Sequence, residues 1–157
     1  MEIHHISPEW LTLDKVEEII ESGAKLVLSE ESRKRISRGR EFLDNKMKTQ
    51  SEPIYGITTG FGSLCNISIS EDQLQALQKN LVMSHSCGTG ELVAPAIVKL
   101  MLLTKIQSLS YGNSGVQLAT VERLVEFFNR DIIPVVFAQG SLGAVSYTHL
   151  TLPTILR

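Results

Sequence analysis

The sequence predicts a mainly α fold: five helices and one long, ordered, glycine-rich loop. Three observations predict it. Apolar residues recur at helical spacing in separate stretches along the chain. Those stretches open at a serine, threonine or proline, and several close at a glycine. Residues 51–70, SEPIYGITTGFGSLCNISIS, instead hold Gly56, Gly60 and Gly62 among β-branched and hydroxyl residues, a mixture that does not sustain a helix.

In chain order, Thr12 is placed to cap a helix over LDKVEEIIES, which Gly23 stops; Leu13, Val16, Ile19 and Ile20 then share one face. Ser29 opens a second helix, EESRKRISRGREFLDNKMK, with a thin apolar stripe of Ile36, Leu43 and Met47. Its Arg33, Lys34, Arg35, Arg38 and Arg40 look like a nucleic-acid patch. Glu30, Glu31 and Glu41 interleave with them, so a solvated face is expected. The loop over 51–70 carries Tyr55, Ile57 and Phe61, which argues for order. Ser70 and Gln73 form a capping box for a third helix, EDQLQALQKNLVMSH, with Leu74, Leu77 and Leu81 on its buried face and Gly88 and Gly90 ending it. Pro95 suits the first turn of a fourth helix, PAIVKLMLLTKIQSLSYG, apolar on nearly every side. That helix is expected to leave a large apolar face in an isolated fragment, and hence to promote aggregation. Ser114 caps a fifth helix, GVQLATVERLVEFFN, and DIIPVVFAQGSLGA runs extended into a tight small-residue turn. His4 and His5 fall at a terminus expected to fray.

A chain of 157 residues suffices for one domain with a real core, and 43% hydrophobic with 20% charged residues suits a soluble globular protein. The formal net charge of −2 supplies no global field for nucleic acid. No apolar run is long enough to span a bilayer, and MEIHHISPEW lacks the basic-then-apolar order of a secretory signal. A cytoplasmic location with Cys65 and Cys87 as reduced thiols is expected; neither lies in a metal-binding spacing, so no metal site is expected.

Few residues could carry chemistry. GITTGFG matches neither phosphate-binding fingerprint, so its glycines are read as allowing close approach of the backbone. Tyr55 stands at the start of that loop. A phenol with a pKa of about 10 becomes a base only where positive charge or donors stabilise its anion; otherwise Tyr55 is a packed tyrosine with a bonded hydroxyl. His85 ends the third helix, where the helix dipole favours positive charge. It is either a helix-end histidine or a side chain aimed into a polar cleft, with Ser84 and Gly88 shaping the wall.

YGITTGFG, NLVMSHSCGTGE, SLSYGNSGV and DIIPVVFAQGSLGA occur in one order with matching separations. That series resembles the N-terminal part of the aromatic amino acid ammonia-lyases, over nearly all of residues 1–144. The resemblance implies a large helical-bundle lyase of the fumarase/aspartase-like kind. It also implies non-oxidative loss of ammonia from an amino acid to leave a trans double bond, in a homotetramer whose sites combine several subunits. In this family GSxGA continues with Ser-Gly, and the Ala-Ser-Gly triad closes into a 4-methylidene-imidazol-5-one, an electrophile that needs no metal. Ala144 matches the alanine of that triad, but Val145 and Ser146 stand where Ser-Gly belongs. By the same resemblance Tyr55 is the catalytic base or positions the β-carbon, and Gly62, Ser84 and His85 contact the substrate. Members that prefer histidine resemble this chain in ending the third helix in Ser-His, which implies L-histidine as substrate and trans-urocanate and ammonia as products. Tyrosine- or phenylalanine-specific lyases and aminomutases of the same family are alternatives, as is a non-catalytic helical module that docks through its apolar fourth helix.

The chain therefore divides into an N-terminal lyase segment, 1–144, and a tail, 145–157, unrelated to what precedes it. VSYTHLTLPT can be encoded by GTC TCT TAT ACA CAT CTG ACG CTG CCG ACG, which resembles the end of a transposon-based sequencing adapter. The tail is expected to be adapter read as protein, and the 157-residue chain to be inactive.

Overall fold

A computed structural model describes residues 2–49, 52, 54, 57–59, 68–70, 73–85 and 88–140; of residues 74, 75, 81, 84 and 85 it describes the backbone alone. The chain runs β1 (Ile3–Ile6), α1 (Leu13–Ser22), β2 (Lys25–Leu28), α2 (Glu30–Thr49), α3 (Leu74–His85), β3 (Thr89–Leu92), α4 (Pro95–Ser110), α5 (Leu118–Asn129) and β4 (Phe137–Gln139). The five expected helices are present.

The first helix forms where its local signals put it. Thr12 Oγ1 accepts from the Lys15 N–H at 3.3 Å, and Gly23 closes the helix in the left-handed region at φ 64°. Ser29 caps α2 through its hydroxyl, which accepts from the Ser32 N–H at 3.1 Å. The charged face of α2 is paired: Arg35 with Glu31 at 2.6 Å, Arg40 with Asp44 at 2.8 Å, and Arg33 across to Glu122 on α5. The fifth helix differs. Ser114 does not cap it; the helix starts at Leu118 with Gln117 as its cap. Gly112 and Gly115 both take left-handed φ angles, 77° and 65°, so the backbone turns through this stretch before a helix can begin.

The terminus expected to fray is instead a strand. β1 pairs parallel to β2 with Ile3 opposite Lys25 and Ile6 opposite Leu28, and α1 supplies the crossover that parallel strands require. His4 is half-buried there. Burial, then the neighbouring Lys15 charge, hold its imidazole below the usual 6.5. Ile6, Leu26 and Leu28 point into one core with Ile36 of α2, Leu103 and Ile106 of α4, and Val121, Leu124 and Phe128 of α5. Each such side chain, fully buried, contributes about 1.5–3 kcal/mol.

Polar groups finish the packing. Gln107, buried on α4, donates to the carbonyls of Ser7 and Glu9 at 2.9 and 3.0 Å, and Ser32 donates to that of Ile6 at 3.0 Å. They fix the chain leaving β1 without orphaning its backbone. The same packing corrects the expectation for α4. Val98, Leu102, Leu103, Ile106 and Leu109 are buried by the chain's own elements, and Ile97 is the one large hydrophobic of α4 that stands exposed.

Candidate active site

Two pieces of backbone geometry bear on the chemistry. The first is a small antiparallel ladder. α3 ends at His85; β3 follows and pairs with β4, with Thr89 opposite Gln139 and Leu92 opposite Phe137. The Val93 N–H donates to the Val136 carbonyl at 2.8 Å and extends the pairing. Gly88 makes the close approach possible: a Cβ there would lie 2.9 Å from Phe137 Cδ2. The ladder thus joins β3, which follows Ser84 and His85 in sequence, to β4, which precedes Ser141–Ala144 in sequence.

The second is a turn. Ile57 and Thr58 donate their N–H groups to the Ile54 carbonyl at 3.1 and 2.9 Å, and the Ile54 N–H donates back to Thr58 Oγ1 at 2.8 Å. Ile69 donates to the Thr58 carbonyl at 2.8 Å, and Thr59 bridges to Ser68. Ile54 and Ile57 line a cleft of about 750 Å³ with Gly39 and Leu43 of α2 and with Tyr111 and Gly112. α2 and this last turn touch backbone to backbone, since a Cβ on Gly39 would lie 2.1 Å from the Gly112 carbonyl oxygen.

The four motifs therefore meet in pairs. The flanks of YGITTGFG meet SLSYGNSGV at the cleft, and NLVMSHSCGTGE meets DIIPVVFAQGSLGA at the ladder. Of the candidate residues, Ser84 and His85 form the last turn of α3, described by backbone alone. Tyr55, Gly62 and Ala144 lie outside the described residues, as do Cys65, Cys87 and the tail. Sequence reading missed the Thr58 hydroxyl; its signal was a hydroxyl residue three positions after Tyr55, where a side chain can reach back to the backbone.

Among the described residues no cluster of His, Cys, Asp or Glu could hold a metal ion, and no helix is long and apolar enough to cross a membrane. Ala144–Val145–Ser146 does not fit a self-formed methylidene-imidazolone. The middle residue must lose a side-chain hydroxyl to become the methylidene carbon, and Val145 carries no oxygen.

This mainly helical fold is that of the aromatic amino acid lyases and aminomutases, and the chain belongs to the aromatic amino acid lyase family: the family pattern matches residues 11–155. The chain is 44% identical over 149 residues to the histidine ammonia-lyase of Symbiobacterium thermophilum, an alignment covering 92% of this chain and 29% of that protein. It is 40% identical over 154 residues to the histidine ammonia-lyase of Legionella pneumophila, covering 96% of this chain and 30% of that one. Among solved structures, tyrosine aminomutase from Streptomyces globisporus superposes with a TM-score of 0.84 at 31% identity, over 96% of this chain and 28% of that one. Histidine ammonia-lyase from Trypanosoma cruzi gives 0.79 at 32%, over 97% and 29%. The chain spans less than a third of the length of these relatives.

Proposed function

We propose that the chain is the N-terminal segment, residues 1–144, of a histidine ammonia-lyase that converts L-histidine to trans-urocanate and ammonia. The observation that carries this reading is the pairing of β3, the strand that follows the Ser-His end of α3 in sequence, with β4, the strand that precedes GSLGA in sequence. Similarity to histidine ammonia-lyases supports it.

Two obstacles define the chemistry. The β-hydrogen is weakly acidic, and ammonium is a poor leaving group. Tyr55 is assigned to the first, as a phenolate that removes the β-proton or positions its carbon. Ser84 and His85 are assigned to substrate choice: a polar wall that hydrogen-bonds an imidazole rejects rings lacking matching groups. Gly62 lets the loop backbone approach the bound amino acid. Leaving-group activation belongs to the self-formed electrophile of the complete protein, which the present Ala144–Val145–Ser146 cannot supply. We assign the complete enzyme to the cytoplasm and to a homotetramer, and residues 145–157 to non-native sequence; genomic DNA reading Ser-Gly after the Ala144 codon is the expected check.

Full-length protein expressed from an uninterrupted gene tests the reaction. L-histidine should be consumed in preference to L-tyrosine by at least about a hundredfold in kcat/KM, with trans-urocanate as product. Preference for tyrosine overturns the substrate assignment. A β-amino acid product favours the aminomutase reading, which the Streptomyces globisporus superposition keeps in play.

A further inference from the structure

Tyr55 sits in sequence between Ile54 and Ile57–Thr58, and those flanks are bound to one another unusually closely. Three hydrogen bonds cross between Ile54 and the Ile57–Thr58 pair. Two are backbone bonds of an ordinary turn, to the Ile54 carbonyl from Ile57 at 3.1 Å and from Thr58 at 2.9 Å. The third is not required by any turn: Thr58 Oγ1 accepts the Ile54 N–H at 2.8 Å. Thr58 thus holds Ile54 by both its N–H and its carbonyl. Thr58 is in turn anchored from outside, because its carbonyl accepts the Ile69 N–H at 2.8 Å and the next residue, Thr59, is 1% exposed and bridged to Ser68.

We propose that Thr58 is a positioning residue for Tyr55: its hydroxyl ties together the two stretches of chain between which Tyr55 lies in sequence, and loss of that tie impairs the work of the phenol. The inference rests on the reading of Tyr55 as the base. Its physical ground is that proton removal demands hydrogen-bond reach, and a displacement of about 1 Å can lower a rate about a hundredfold. A valine at this position would keep the shape and the β-branching but leave the half-buried Ile54 N–H without its acceptor. A serine would keep the acceptor.

The test uses the full-length enzyme with Thr58→Val, Thr58→Ser and Tyr55→Phe. Thr58→Val should lower kcat/KM for L-histidine at least about tenfold, mostly through kcat, and move the acidic limb of its pH profile. Thr58→Ser should stay within about threefold of the parent. The position of a pH limb does not depend on how much enzyme is folded, so partial unfolding cannot imitate that shift. Backbone amide exchange at Ile54 gives a readout independent of activity, and Thr58→Val should accelerate it at least about tenfold. The two readings fail separately. Tyr55→Phe with full activity overturns the role of Tyr55, while Thr58→Val matching the parent in kinetics, pH profile and Ile54 exchange overturns the role of Thr58. Should Thr58→Val yield no folded protein, Thr58→Ser and Thr58→Asn decide it; a loss in both equal to that of Thr58→Ala overturns the proposal.

Discussion

Asn129, the last residue of α5, does at the residue scale what a missing strand would do. Its side-chain oxygen accepts from the Leu26 N–H at 2.7 Å and its amide nitrogen donates to the Leu26 carbonyl at 2.8 Å. β2 is the edge of a two-stranded sheet, and an open edge invites pairing with another chain. One amide side chain closes it at the position where Leu26 is fully buried. Asn129→Ala should therefore lower the stability of the folded protein by about 2–3 kcal/mol in urea titration, because both partners on Leu26 are left unsatisfied. An effect within about 0.5 kcal/mol would show that water replaces the amide without penalty. Nothing in VEFFNR marks this asparagine as different from any other helix-end asparagine. Its partner lies 103 residues away in sequence, and no local pattern announces it.

Backbone proximity decides the outcome between elements. α2 crosses the turn after α4 at Gly39 and Gly112, where neither position has room for a methyl group; a Cβ on Gly112 would lie 2.5 Å from the Arg35 carbonyl. Gly23 is the contrast: its φ is 64°, but nothing lies within 4 Å of a Cβ built there. Gly23→Ala should thus cost about 1 kcal/mol, the strain of a left-handed alanine alone. Gly39→Ala should cost about 3 kcal/mol or more, since a neighbouring backbone must move. Equal losses in the two variants by chemical denaturation would overturn this account. The helices themselves were legible in sequence because their signals are local: the Thr12 cap, the Gly23 stop and Pro95 at the first turn of α4 each act within a few residues. The fifth helix was misplaced at its start for the opposite reason. Its first turn is delayed by two left-handed glycines, both of which fit against α2 in three dimensions, Gly112 at Arg35 and Gly115 at Leu43.

Across the whole molecule, the apolar surface lies elsewhere than expected. Leu92, Val135 and Phe137 stand 61%, 60% and 38% exposed around the β3–β4 pair, whereas most of α4 is covered. A two-stranded ladder with an apolar outer surface is marginal by itself. The 157-residue chain should self-associate through this patch, and Leu92→Lys with Val135→Lys should shift it toward monomer in sedimentation velocity. Unchanged association in that double variant would place the contact elsewhere, with Trp10 and Leu13 as the next exposed pair. The sequence by itself determined the helices, the solvated charged face of α2 and the family, because caps, interleaved charges and ordered motifs are all written in short stretches of chain. Tertiary structure alone decided the β1–β2 and β3–β4 pairings, the amide that closes the edge at Leu26, and which motif meets which. Strand and side-chain partners are chosen by packing between distant segments, and a four-residue strand such as IHHI carries too short a pattern to declare a partner before the core that selects it has formed.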